Sequence, residues 1–161
     1  KQLKQVEDAG QKIMAKHIVQ LFGVSGGDNL STEQAKEIGI TRSSFRDAFP
    51  QDSWLQKVDG KLLTEAKSEN TINRIAGTAE HPRQTERVPA GAEFAFELQL
   101  KVLSDDDEAA LCKTLLTGLK LLEMDALGGS GSRGYGRVQF QLSDANLAEQ
   151  LAALDPFAHV A

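Results

Sequence analysis

Gly128-Gly-Ser-Gly-Ser-Arg-Gly-Tyr-Gly-Arg137 is the stretch on which the fold turns. Half of its residues are glycine, so the backbone is free to take positive φ and no Cβ atoms stand between the main chain and a partner. Ser130, Ser132, Arg133 and Arg137 add hydroxyl and guanidinium donors. Exposed N–H groups beside such donors suit an anion, most often a phosphate. A flexible turn is the alternative reading, but a plain turn needs neither five glycines nor two arginines. A nucleoside-triphosphate loop would need a lysine followed by Ser or Thr, and the stretch has no lysine. Gly129-x-Gly131-x-x-Gly134 spells the dinucleotide fingerprint, yet that fingerprint leaves a strand and opens a helix. Here an amphipathic helical pattern precedes the loop, and an alternating strand pattern, Val138 to Leu142, follows it.

Working upstream, Leu111, Leu115, Leu119, Leu122 and Ala126 recur every three to four residues and predict a helix, capped by Ser104, with Asp105 to Glu108 in a first turn that favours negative charge. Before it, Phe94, Phe96, Leu98, Leu100 and Val102 alternate with Ala95, Glu97, Gln99 and Lys101, predicting a strand over 93–103 with the phenylalanines in the core. Residues 61–89 are polar and aperiodic and read as an extended excursion or hairpin; a segment of that length is usually functional or disordered. Residues 51–60, with Trp54, read as a connector, and 43–49 as a short strand ended by Pro50. A first helix is predicted over 2–21 from Leu3, Val6, Ile13, Ile18 and Leu21, stopped at Gly23. Residues 24–41 read as a mobile insertion with a short helix from the N-cap Ser31 to Lys36, and 144–154 as a small docking helix.

The order helix, strand, excursion, strand, helix, strand is a ferredoxin-like unit without its first strand. The fold class expected is therefore α+β, a ferredoxin-like (RRM-like) palm. The aromatic strand signatures of the RNA-recognition motif are not present, so base stacking on the sheet face is not predicted. The chain opens at Lys1 on residues that read as the middle of a longer unit, so an N-terminal segment is expected upstream.

Composition narrows the classes. At 161 residues, 40% apolar and 25% charged, the chain suits one globular domain. No apolar run approaches the roughly 18 residues of a membrane span, no secretory leader is visible, and the single Cys112 excludes a disulfide framework and a cysteine zinc cluster. The cytoplasm is the expected compartment. A net charge of −5 disfavours a uniformly basic nucleic-acid binder. The arginines nonetheless cluster, at 42 and 46, at 74, 83 and 87, and at 133 and 137, which leaves room for a basic face.

Three stretches carry a resemblance. They are Thr64-Glu-Ala-Lys-Ser-Glu-Asn-Thr-Ile-Asn-Arg74, Ala79-Glu-His-Pro-Arg-Gln-Thr-Glu-Arg-Val-Pro-Ala-Gly91, and Leu119 through the glycine loop to Arg137. Together with Leu21-Phe-Gly23 and Arg42-x-x-x-Arg-Asp-Ala-Phe49, they resemble the repeated backbone subunit of type III-A CRISPR effector complexes, in the repeat-associated mysterious protein (RAMP) superfamily. The resemblance spans about residues 21–142 and implies one such domain over 1–161, a thumb insertion over 61–89 and a glycine-rich loop over 127–137. It implies as partners a CRISPR guide RNA, a target RNA, further copies of the subunit in a filament and other type III effector subunits, with no membrane. The palm and its loop would hold the guide backbone, and the thumb would cross the guide–target duplex and displace a base pair at intervals. It also implies target cleavage with a divalent metal, Mg or Mn. The aspartate that supports this in the family belongs to a segment before the first helix, so no catalytic or metal residue is assigned in this chain and it is not expected to cut RNA alone. Relatives often carry a cysteine cluster before Leu-Phe-Gly; here the place holds only His17, and a zinc site needs about four ligands.

The candidate RNA contacts are Arg46, Asn70, Arg74, Arg83, Arg87, Gly128, Gly129, Ser130, Gly131, Ser132, Arg133, Gly134 and Tyr135. The arginines have solvated surface charge as their other reading, and Arg137 a carboxylate partner. For Tyr135, packing on the helix and stacking on a base both stand. Arg46 and Asp47 also read as a strand-edge pair. Glu65, Glu69 and Glu86 read chiefly as solvated carboxylates, with metal or water positioning as the alternative. His17, His81 and His159 are too scattered to form a site. Two other functions remain open: a non-catalytic RNA-binding assembly subunit of the same fold, and a phosphate- or nucleotide-binding domain using the glycine loop.

Overall fold

The structure is a computed structural model and describes residues 9–25, 31–58 and 63–158. It is a mixed α+β arrangement with small antiparallel sheets. In chain order the elements are α1 (Ala9–Phe22), α2 (Thr32–Ile38), β1 (Ser43–Phe45), β2 (Phe49–Pro50), α3 (Asp52–Val58), β3 (Glu65–Asn73), β4 (Thr78–Arg87), β5 (Phe94–Ala95), β6 (Leu98–Leu100), α4 (Glu108–Met124) and α5 (Ala145–Ala153). They fall into two compact units, residues 1–45 with 98–161, and residues 46–97.

In the first unit α4 carries the core. Leu111 and Leu115 pack with Leu21 of α1, and Leu98 and Leu100 of β6 lie against them. One helical face further round, Leu116 and Leu119 pack with Leu151 of α5, covered by Phe140, Leu142, Leu147 and Leu154. The leucine spacing puts both sets on adjacent stripes, so one helix buries two neighbours. The docking helix forms as expected, with the Asp144 carboxylate accepting the Leu147 N–H as its N-cap. Ser31 caps α2 in a reciprocal box with Gln34, and Gly23 stops α1 at φ +79°.

Around this core the polar chemistry converges on one buried ion pair. Arg42 holds Asp106 by two parallel bonds, Nε to Oδ2 at 2.9 Å and Nη2 to Oδ1 at 3.0 Å, with side chains 5% and 3% exposed. Arg42 Nη1 also donates to the carbonyls of Ile38 and Ile40. The Arg42 amide donates to Gln20, its carbonyl accepts from Lys101, and Asp106 Oδ2 accepts the Leu103 amide. The end of α2, the lead-in to β1, the exit of β6 and the approach to α4 thus meet at one guanidinium and one carboxylate, and the Arg42 main chain ties in the end of α1.

Several expectations are corrected. The predicted helix over 2–21 is described only from Ala9, so Leu3 and Val6 lie outside the described residues, and Ile13 and Ile18 are exposed. Residues 26–30 of the expected insertion also lie outside them. The strand over 43–49 is two pieces, and so is the strand over 93–103. Between the β1/β6 and β2/β5 ladders the chain has residues 46–48 on one side and only 96–97 on the other, so alternation cannot stay in register. Pro50 sits inside β2, paired with Phe94. Phe94 is 42% exposed and Phe96 half-buried, so neither is core. The helix N-cap is Asp107, whose carboxylate accepts the Ala110 N–H, not Ser104; the acidic run serves an ion pair and a cap before it serves the helix dipole. Residues 138–142 join no ladder among the described residues; the Phe140 N–H goes instead to the Glu123 carboxylate at 2.8 Å.

In the second unit the connector is helical, because Trp54 of α3 is buried and stacks on Phe94 at 6.4 Å between ring centroids. Residues 65–87 form a two-stranded hairpin, β3 against β4. Its turn is made by Asn73, whose Oδ1 accepts the amides of Ile75 and Ala76, and by Gly77 at φ +69°.

Asp106→Asn keeps the shape of the side chain and strips the buried guanidinium of its countercharge. We expect it to cost about 3 kcal/mol in denaturant unfolding. Hydrogen bonds from Arg42 hold the Asp106 carboxyl below its ordinary range, against the opposing effect of burial, with the Leu103 amide helping. A lowered folded value gives stability that is present above the unfolded value of roughly pH 4 and is lost as pH falls through the folded one. The gap between wild type and variant is therefore full at neutral pH and closes in acid; a gap that is small or independent of pH would contradict this.

Candidate nucleic-acid interface

The glycine loop is a closed structure. The Leu127 N–H donates to the Gly136 carbonyl at 2.8 Å and ties the two ends together. Inside, Gly131–Arg133 makes one 3₁₀ turn between Ser130 and Gly134, both left-handed at φ +61° and +78°. The glycines divide into two groups. A Cβ on Gly136 would stand 2.2 Å from the Leu127 carbonyl oxygen, and one on Gly131 would stand 2.8 Å from the Ala126 methyl. These two glycines let the loop close. A Cβ on Gly128, Gly129 or Gly134 would meet nothing within 4 Å. These face open space, and the amides of Gly128, Gly129, Ser130, Gly131 and Ser132 have no acceptor among the described residues. A run of unsatisfied N–H groups beside hydroxyls offers donors of the kind that anions take. Arg133 and Arg137 are exposed beside it. Tyr135, for which packing and stacking stood open, is 8% exposed and packed inward.

The thumb arginines sit on the hairpin, in the other unit, and their settings differ. Arg87 Nε bonds Glu65 at 2.6 Å, and Arg83 Nη2 reaches Glu69 at 3.5 Å. Each is a cross-strand neighbour of its carboxylate, Glu65 opposite Arg87 and Glu69 opposite Arg83. Arg74 lies in the turn, exposed, with no ion pair or hydrogen bond among the described residues. Asn70 belongs to the other face of the ribbon from Arg83 and Arg87, by the alternation of the strand. Arg46 is paired with Glu97 at 3.0 Å and not with Asp47 as expected; both partners are exposed.

Among the described residues no metal centre accompanies these groups. Burial, and next the Glu108 charge, push the Cys112 thiol up, so it is no thiolate. Glu65 and Glu69 are taken by arginines. Among the described residues no three His, Cys, Asp or Glu side chains gather as a metal site. The divalent metal that the resemblance implies therefore finds no such donor set among the described residues. What the described residues offer is a run of backbone donors on one unit and a polar hairpin on the other.

Sequence reasoning missed the bulge in the hairpin. The register skips between Glu69 and Thr71, where Asn70 faces both His81 and Pro82. His81 takes φ +53°, and Pro82 has no N–H to offer a ladder. A proline inside a strand pattern was the available signal.

A family model described as the RAMP superfamily matches residues 6–139. The chain belongs to the RAMP superfamily. Among its relatives, the CRISPR system Cms endoribonuclease Csm3 of Streptococcus thermophilus is 43% identical over 109 residues, 66% of this chain and 49% of that protein. The proteins of the same description from Mycobacterium tuberculosis and Enterococcus italicus are each 39% identical, over 86% and 81% of this chain and 59% of their own length. The chain thus spans about half to three-fifths of the curated relatives it matches. Among the described residues no helix is long and apolar enough to cross a membrane.

The two groups of glycines separate folding from binding. We expect Gly136→Ala to lower the melting temperature, since its methyl group meets backbone at positive φ. Gly129→Ala should leave melting unchanged and weaken RNA retention by blocking close approach of a phosphate. A Gly129→Ala protein that melts normally and binds RNA as wild type would remove the loop from the interface.

Proposed function

We propose that this chain is the guide-RNA-binding palm-and-thumb part of a backbone subunit in a type III-A CRISPR effector complex. The observation that carries the reading is the glycine loop, whose amides at 128–132 lack acceptors within the described residues, in a member of the RAMP superfamily. In this reading the first unit is a ferredoxin-like palm whose loop holds the guide backbone, and the hairpin 65–87 is the thumb that meets the guide–target duplex. Further copies in a filament, other type III subunits, a target RNA and a cytoplasmic setting belong to the same proposal. So does cleavage of target RNA with Mg or Mn, which we assign to the whole protein and to no residue of this chain.

Phosphate contacts would come from the loop amides first and from exposed cations second. Arg74 has its full charge to offer, while Arg83 and Arg87 share theirs with carboxylates. Each phosphate neutralised by a cation contributes a little under one to the slope of log affinity against log salt. The test is equilibrium binding of a guide RNA, and separately of free nucleotides, over a range of salt. Guide RNA should bind far more tightly than any nucleotide. Arg74→Ala should lower the slope by a little under one, and adding Arg83→Ala and Arg87→Ala should lower it further by less than twice that step. Nucleotide binding that equals RNA binding would favour a small-molecule phosphate site instead; an unaltered slope in the triple variant would make these arginines ordinary surface charge.

A further inference from the structure

The hairpin has two chemically different faces. Before the bulge, Glu65, Lys67, Glu69, Arg83, Thr85 and Arg87 alternate onto one face. There they make the ion pairs Glu65–Arg87, Glu69–Arg83 and Lys67–Glu69. Lys67, Glu69, Thr85 and Arg87 are half-buried among themselves. The opposite face presents Ala66, Ser68, Asn70, Pro82, Gln84 and Glu86, all exposed. It holds no Lys or Arg and one carboxylate. The side chains of Ser68, Asn70 and Gln84 make no hydrogen bond among the described residues. The bulge leaves Asn70 without a register partner, beside an open groove that Ser68, Pro82 and Gln84 also line, with Glu69 and Arg83 at its border.

A face that follows phosphates carries cations. This one carries small residues, a hydroxyl and two amides, which both donate and accept. That is the chemistry of a ribose 2′-hydroxyl, itself donor and acceptor. In an A-form duplex these hydroxyls line a wide, shallow minor groove. A ribbon with small side chains can approach such a groove closely. Resting on the reading above that the hairpin meets a guide–target duplex, we propose that Ser68, Asn70 and Gln84 contact ribose 2′-hydroxyls of the duplex, so that this face of the hairpin makes the protein favour an RNA over a DNA target.

The test uses the protein that carries this chain, loaded with guide RNA, and measures affinity for a target RNA and for a 2′-deoxy target of the same sequence. The wild type should favour RNA. The variant S68A/N70A/Q84A, which changes only exposed side chains, should lose roughly tenfold or more of that preference while keeping its guide. Arg87→Ala, on the charged face and outside that groove, should weaken both targets alike and leave the ratio standing. An unchanged ratio in the triple variant with guide retained overturns this inference and leaves the functional reading intact. A triple variant that changes preference among target sequences but not between ribose and deoxyribose also overturns it, in favour of base edges. A wild-type protein that retains no guide overturns the functional reading itself, and the inference with it.

Discussion

The Arg42–Asp106 pair is the constraint on which the first unit depends. Four segments meet at its side chains, and the ladder and the helix among them are short. β1 and β6 share three register pairs, and α2 has seven residues. A short ladder and a two-turn helix are marginal in water. A guanidinium whose donors are divided between a carboxylate and two carbonyls fixes their relative geometry at once. Replacing both partners by apolar groups could be neutral for stability, but removing one leaves a buried charge without compensation. The pair is therefore better understood as setting register than as a source of net free energy.

With that frame in place, α4 can end where it does and hand the chain to the glycine loop. The helix stops at Met124, Asp125 caps it, and two residues later Leu127 bonds Gly136. The loop is held from within by Tyr135 and by two glycines that no other residue could replace without moving backbone. In the proposed function, recognition then falls to main-chain groups. The same economy appears on the hairpin, where carboxylates already occupy two of the three arginines and the fully exposed face is nearly neutral. An acidic chain is compatible with the proposed RNA binding because the donors it offers are local and need no broad positive field.

The sequence was most legible where a signal is local. Ser31 with Gln34, Gly23 after Phe22, Asp144 before the last helix and the leucines from 111 to 119 each act through neighbours within one or two turns, and the elements form there. The glycine loop and the hairpin were legible for the same reason. The pairing of Arg42 with Asp106 was not, since 64 residues separate the partners and nothing in either neighbourhood marks the other. The N-cap was misplaced because Ser104 and the acids that follow it are all chemically able to cap, and tertiary pairing removes Asp106 from the competition. The long alternating strands were read as continuous because alternation alone does not reveal that three residues must face two.

The central claim is that the chain is built to hold a guide RNA by its backbone. The most direct measurement is the nucleic acid that copurifies with the protein after nuclease treatment. The account predicts a small RNA of uniform length, protected while bound and released by high salt. Protein that emerges free of RNA, or with fragments of no defined length, would contradict it.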